Sequence, residues 1–517
     1  MPFNMARHCV GEAAHWTPEK TALLVIADVA ADAPTETWTY AALEDAVLRI
    51  AGGLRAMGLA PGDRLMIRLD NTSAYALLFF GAVAAGVVAL PTSFQLTETE
   101  ALFLARDCSA AAIATAASLD TASLAHAPIL ITPDDVARMI REAPRARYAA
   151  THAGDPAFLI YTSGTTARPK GVLHAQRSVL GRRPMYDGWY GMTAADRVLH
   201  AGAFNWTFTL GTGLTDPWAN GATAIVFTGE KEPALWPHLI AKTDATIFAG
   251  VPGLLRQILK YASPTAGHMP TLRHALMAGE TPPPGLFEDW AHETGTEIYE
   301  GFGMSEISTY ISSSPTVPRR PGTAGKPQPG RRVEILSADG SDDPLPPGAE
   351  GLIAVHRSDP GLMLGYWNRP QEEAEVLRGQ WFTGGDLGIM DADGYITYAG
   401  RNNDLMKALG YRVSPLEVEA VLAGHPAVAE VACAEIAVRE GVHVIGAFIV
   451  PRHQAPINPA EIKAFAAERL AAYKCPREVR FLDQLPRTAN GKVKRSALLA
   501  AAPLETPAGL AERGQNS

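Results

Sequence analysis

Cysteine is scarce in this chain of 517 residues: the four present, Cys9, Cys108, Cys433 and Cys475, lie far apart and form no CxxC pair. That excludes a disulfide framework and the paired-thiolate zinc and redox motifs, and it fits reduced thiols. Charge of one sign is lacking in bulk. The net charge is −9, with charged residues at 19% and no long single-sign run. Such a balance argues against a chain-wide role on nucleic acid or on an anionic membrane. Met1 to Trp16 scatters His8, Glu12 and His15 where a secretory leader needs an apolar core, so no leader is expected. Long hydrophobic runs reduce to one, Ala74 to Leu90, which contains Tyr75, Gly81 and Gly86 and stops at Pro91. It is short for a bilayer span. It reads as a buried helix over Ala74 to Ala85 running into a core strand over Val87 to Leu90, with no membrane span and a cytoplasmic location expected.

What is present is ordinary globular composition, 47% hydrophobic, and the length suggests three or four folding units at about 150 residues each. Strand-like and helix-like segments alternate. Leu43, Val47, Ile50 and Leu54 give helical spacing, and Arg64 to Ile67 is a short apolar strand. Further on come strands at Ala157 to Tyr161, Thr223 to Phe227 and Thr246 to Ala249, with helices at Leu235 to Lys242 and Gly253 to Lys260. This predicts parallel sheets covered by helices. From Arg332 to Val355 the pattern turns to short strands and turns, a β-rich module. The polar stretch Arg401-Asn402-Asn403-Asp404 then precedes a last segment with its own βα pattern. The expected fold class is α/β: a large N-terminal domain of helix-covered sheets plus the β-rich module over 1–400, and a small, mobile C-terminal α+β domain over 401–517.

The most informative stretch is Tyr161-Thr162-Ser163-Gly164-Thr165-Thr166-Ala167-Arg168-Pro169-Lys170-Gly171-Val172. It follows an apolar strand, and its hydroxyls, backbone N–H groups and Lys170 suit phosphate oxygens. Lys170 is followed by glycine rather than by Ser or Thr opening a helix, so this is not the Walker pattern. The loop resembles the signature of the adenylate-forming superfamily, which includes acyl-CoA synthetases, peptide-synthetase adenylation domains and luciferases. That family usually has glycine at the position of Ala167.

The resemblance continues in the family's order. Ala278-Gly279-Glu280-Thr281 is similar to the segment flanking the adenine. Glu300-Gly301-Phe302-Gly303-Met304-Ser305-Glu306 is similar to the next motif, which implies Phe302 packing on the adenine, Ser305 meeting the α-phosphate and Glu306 holding Mg²⁺. Phe382-Thr383-Gly384-Gly385-Asp386 resembles the ribose motif, with Asp386 accepting from the ribose hydroxyls and Gly384 standing where threonine is usual. Gly400 to Val413 resembles the hinge motif. It implies Arg401 on ribose and phosphates, Asn403 at the hinge position, within a hinge at about 401–404, where aspartate or lysine is usual, and Gly410 and Tyr411 along the pantetheine channel. Pro486 to Arg495 resembles the catalytic-lysine motif, with Lys492 as the lysine. The resemblance covers about residues 8 to 500.

By that resemblance the chain is an AMP-forming acid–thiol ligase using ATP, Mg²⁺ and coenzyme A. The stretches Gly410 to Glu419 and Asp216 to Thr223 are similar to medium-chain and aromatic acid–CoA ligases. Acetate-activating relatives carry tryptophan at the position of Gly303, so glycine implies an acid larger than acetate. Lining candidates are Phe204, Trp206, Phe208, Ala249, Gly250, Val251, Gly301, Gly303 and Ile307. With no lone cation and no aspartate for a substrate amine in view, dicarboxylic and amino acids are disfavoured. About 25 residues follow Lys492, fewer than a domain needs, so free CoA is the first reading of the thiol. An acyl-AMP ligase loading a carrier protein is the alternative, and a non-catalytic ATP-binding regulator comes third. A homodimer and a lysine acetyltransferase acting on Lys492 complete the expected partners.

Overall fold

The chain is described by a computed structural model over residues 2–162, 169–280, 282–283, 285–402, 406–408, 411–439, 442–452, 458–470, 472–487 and 493–501. Two compact units divide it. The larger takes in the chain up to Glu334, then Ala354–Gly384 and Asp391–Thr397; the smaller gathers Ile335–Ile353, Gly385–Met390 and the described residues from Tyr398 onward. The smaller unit therefore reaches back into the β-rich module, because Glu350 to Leu352 pairs antiparallel with Leu387 to Ile389.

Two sheets build the larger unit. One has nine strands in the order Lys326–Pro327, Ser308–Ser312, Glu297–Met304, His274–Ala278, Ile247–Gly250, Arg197–His200, Thr223–Phe227, Thr21–Ile26, Glu36–Thr39. The other has seven: Gly365–Tyr366, Lys170–Ala175, Pro156–Thr162, Val88–Pro91, Arg64–Arg68, Ala112–Thr115, Ile129–Ile131. The inner strands of each run parallel; the outer ones are antiparallel except Ile129–Ile131, which closes its edge in parallel, and buried parallel strands read as apolar runs because both faces are covered. Alternate residues serve opposite faces. Leu23 and Val25 join a core with Leu65, Ile67 and Ala89 of the other sheet, whereas Leu24 and Ile26 face Trp236, Leu239 and Trp290.

Between the sheets lie helices α1 (Tyr40–Ala56) and α2 (Ser73–Ala85). Thr39 starts α1 by accepting a hydrogen bond from the Ala42 amide. α2 is buried along nearly its whole length, which is why its sequence is apolar on every side; Leu77, Leu78, Phe79 and Phe80 each contribute about 2 kcal/mol by burial. It ends at Gly86, whose φ of +80° a side chain would strain, and the chain enters Val88–Pro91. The expected helix is found with its start one residue earlier and its end as expected, and the strand is found one residue later. Among the described residues no helix is long and apolar enough to cross a membrane. All four cysteines are free thiols.

In the smaller unit Val428–Arg439 and Val442–Pro451 form an antiparallel pair, with Glu478–Phe481 added parallel. Helices Pro415–Ala423 and Pro459–Ala467 cover one face through Val418, Leu422, Ile462 and Ala466, packed on Cys433, Ile445, Ala447 and Ile449. Five strands of the larger unit frame the site described next: β1 (Pro156–Thr162), β2 (Lys170–Ala175), β3 (Glu297–Met304), β4 (Ser308–Ser312) and β5 (Gly365–Tyr366).

Candidate active site

β1 and β2 are antiparallel, with Thr162 directly opposite Lys170. Thr162 and Lys170, the described residues that bound the expected phosphate loop, therefore face each other across the strand pair. Ser163, Gly164, Thr165, Thr166 and Ala167 lie outside the described residues. The Lys170 ammonium pairs with Glu372 and sits 5.4 Å from the centre of the Tyr366 ring. A cation is thus delivered at the mouth of the loop, held by a carboxylate that a phosphate can replace.

Ser305 and Glu306 form the turn between β3 and β4, and this turn is docked on β2 and β5. The Met363 amide donates to the Glu306 carbonyl at 2.8 Å, the Tyr366 hydroxyl donates to Glu306 Oε1 at 2.8 Å, and the Ser305 carbonyl accepts from His174 Nε2 at 2.8 Å. β5 itself pairs with β2, Tyr366 opposite Val172. The Glu306 carboxylate is thereby aimed by one phenol. Mg²⁺ is bound through one or two carboxylates together with phosphates and water, and a single oriented Glu306 fits that donor set. Phe302 is half-buried with its ring edge-on to Tyr310 at 5.7 Å.

The two glycines flanking this turn are explained differently from expectation. A Cβ on Gly303 would lie 2.2 Å from the Ser308 carbonyl oxygen and 2.5 Å from Thr309 Cα. The volume beside Gly303 belongs to the backbone of β4, which corrects its reading as an opening in the acid pocket. A Cβ on Gly384 would lie 2.5 Å from Met304 Sδ. The thioether of Met304 fills the place that the family's threonine would take.

Of the expected acid-pocket residues, the structure brings Ala249 and Phe208 together in a cluster with Trp189, Leu276 and Ala278. Gly301 lies against the same indole, where a Cβ would come 2.6 Å from Trp189 Cζ2. Gly250 ends its strand and Val251 caps the helix Pro252–Ala262. Trp206 is half-buried at the start of the short helix Thr207–Leu210. Phe204 goes elsewhere, into the core between the sheets, 5.6 Å from Tyr75. Gly279 and Glu280 follow the strand His274–Ala278, and Ile307 is buried.

Sequence reasoning missed a buried cation nearby. Arg182 Nε and Nη2 donate to Asp216 at 2.7 and 2.6 Å, Tyr190 donates to the same carboxylate at 2.7 Å, and Arg182 also reaches the Ser308 hydroxyl. Burial is the largest influence and opposes the guanidinium charge, but Asp216 together with Tyr190 and Tyr186 outweighs it, and the net shift of Arg182 is upward. A partnered arginine is not the lone cation a second substrate carboxylate would need.

In the smaller unit Asp386 opens the strand Asp386–Met390 and is buried, with Arg401 Nε 3.1 Å from its Oδ1 and the Tyr398 hydroxyl donating at 3.4 Å. The Asn402 amide donates to the Gly385 carbonyl at 2.9 Å. Tyr411–Val413 pairs with Met406–Ala408. Lys492, Asn403 and Gly410, and the side chain of Tyr411, lie outside the described residues.

Lys170 on β2 and the Ser305–Glu306 turn tied to the same strand thus stand together at one edge of the seven-stranded sheet. Residues 10–367 match the AMP-binding enzyme family and residues 417–492 the C-terminal domain of AMP-binding enzymes. The chain belongs to this family. It is 32% identical over 486 residues to benzoate–CoA ligase of Thauera aromatica, covering 90% of this chain and 91% of that one. It is 33% identical over 475 residues to a mitochondrial acyl-coenzyme A synthetase of Homo sapiens, covering 87% and 81%. Among solved structures it resembles ATP-bound MatB from Rhodopseudomonas palustris (TM-score 0.88, 25% identity, 96% and 98% covered). It also resembles a benzoate CoA ligase from Burkholderia xenovorans (TM-score 0.83, 29% identity, 96% and 99% covered).

Proposed function

We propose that the protein is an AMP-forming ligase that joins a carboxylic acid larger than acetate, either aromatic or alicyclic or of medium chain length, to coenzyme A. The observation that carries this reading is the Ser305–Glu306 turn tied through Tyr366 to the strand that bears Lys170, in a chain matched over nine-tenths of its length by a benzoate–CoA ligase. That the similar proteins are CoA ligases and acyl-CoA synthetases favours free CoA over a carrier protein.

The substrate carboxylate attacks the α-phosphorus of ATP, the bond to the bridging oxygen breaks, and pyrophosphate leaves. The CoA thiol then loses its proton and attacks the acyl carbonyl, and AMP leaves. The work of the protein is positioning and charge neutralisation. Thr162 and Lys170, with the loop hydroxyls beyond them, hold β- and γ-phosphates. Ser305 donates to the α-phosphate, Phe302 packs on the adenine, and Gly279 and Glu280 border it. Asp386 accepts from the ribose hydroxyls, with Arg401 beside it. Mg²⁺ held at Glu306 neutralises phosphate charge when bound. Lys492 sets its ammonium on the carboxylate and α-phosphate oxygens, and the small domain turns about Asn403 to bring Gly410 and Tyr411 to the thiol. The boundary near residue 400, a cytoplasmic location and a homodimer belong to the same proposal. So does acetylation of Lys492, which would remove the charge adenylation needs.

The test separates the half-reactions. K492A is expected to abolish acid-dependent pyrophosphate release and to spare thioester formation from supplied acyl-adenylate. Equal loss of both would overturn the lysine assignment.

A further inference from the structure

Four residues beyond Lys170 on β2 is His174, a buried histidine that the function above does not use. Its ring stacks on Phe158 of β1, centroids 4.6 Å apart and planes at 15°. Nε2 lies 2.8 Å from the Ser305 carbonyl oxygen. A carbonyl only accepts, so the proton is on Nε2 and Nδ1 is an acceptor. Burial pushes the imidazole down to about 4, so the ring is neutral at physiological pH and this tautomer persists. Nδ1 and the Ser178 hydroxyl are both buried without a hydrogen-bond partner among the described residues. His174 and Ser178 line one cavity of about 30 Å³, whose wall includes Ile307 and Ser308, directly after the turn.

We infer that His174 is a positioning residue for adenylation: by donating from Nε2 to the Ser305 carbonyl, it fixes the serine–glutamate turn relative to the strand that carries the phosphate loop. The inference rests on the ligase reading. Among the described residues, hydrogen bonds from His174, Met363 and Tyr366 hold the turn to the β2–β5 edge, and of these that of His174 originates on β2 itself. The competing account is packing alone, with the ring filling space against Phe158.

The two accounts are separated by His174→Phe and His174→Gln, compared with wild type in melting temperature, ATP affinity by calorimetry with Mg²⁺, and kcat/KM for ATP in acid-dependent pyrophosphate release. Phe keeps the stack and loses the donor; Gln keeps an N–H donor and loses the ring. We expect H174F to melt near wild type yet lose about tenfold in kcat/KM, and H174Q to recover to within about threefold. H174F at the wild-type kcat/KM, or H174Q no better than H174F, would overturn the inference. Should H174F fail to fold, H174M against H174Q makes the same comparison. A wild type that releases no pyrophosphate with any acid would defeat the ligase reading instead. The order wild type, H174Q, H174F in ATP affinity would then support the positioning role, and equal affinities would overturn it.

Discussion

Gly303 and Gly384 look alike in sequence, each a motif glycine set against a larger side chain in the resembled family (tryptophan in acetate-activating members at the first, the usual threonine at the second), and the structure separates them by what stands beside each. Next to Gly303 is backbone: the Ser308 carbonyl and Thr309 Cα of β4, 2.2 and 2.5 Å from where a Cβ would be. Next to Gly384 is the end of a flexible side chain, the Met304 thioether. A sheet backbone cannot withdraw without losing its ladder, whereas an unbranched thioether has three rotatable bonds. The first glycine is required by the strand pair, and the second is compensated by one neighbour.

That contrast can be broken by substitution. The largest effect is expected from G303A, which forces β3 and β4 apart: a loss of about 3 kcal/mol in unfolding free energy, measured by denaturant titration. G384A should cost under about 1.5 kcal/mol because Met304 can turn aside, and adding M304A to G384T should restore stability lost by G384T alone. Equal costs for G303A and G384A would remove the distinction. Next in size is Y366F, which removes the hydrogen bond that aims Glu306. It should raise the KM for MgATP about tenfold while leaving the melting temperature within about 2 °C, since hydrogen bonds to charged groups are worth about 1.5–3 kcal/mol. The smallest effect concerns Glu300 at the centre of β3, where burial lifts the carboxyl from its ordinary 4.5 to about 7. A carboxyl with a raised folded-state value contributes stability below pH 4.5 that is lost as pH rises through about 7. E300Q should therefore match wild type at pH 4 and melt about 2 °C or more above it at pH 8; a constant difference across that range would count against the burial argument.

How far the sequence could be read follows from the same distinction between local and distant neighbours. The apolar run Ala74 to Leu90, interrupted at Gly86, specified a buried helix and the strand after it, because composition and a turn glycine act within a few residues. Strand–helix alternation gave the parallel sheets. The motif residues Phe302, Ser305, Glu306 and Asp386 could be named from their order along the chain. What escaped was set by partners far away in sequence. The return of β2 along β1, which puts Lys170 opposite Thr162, depends on pairing across the loop. Tyr366 lies 60 residues beyond Glu306, and His174 lies 131 residues before Ser305. The neighbours of Gly303 and Gly384 are likewise a matter of register and packing, which a one-residue slip would change. Arg182 and Asp216, 34 residues apart, carried no local signal that they would pair.

The central claim is a CoA ligase for acids larger than acetate, and it is tested most directly by CoA-dependent AMP release. Benzoates, cyclohexanecarboxylate and straight-chain acids from acetate to dodecanoate would be compared at equal concentration. The account predicts turnover that requires both ATP and CoA, with ring or medium-chain acids preferred and acetate poor. Preference for acetate, or adenylate that accumulates whether or not CoA is present, would contradict it.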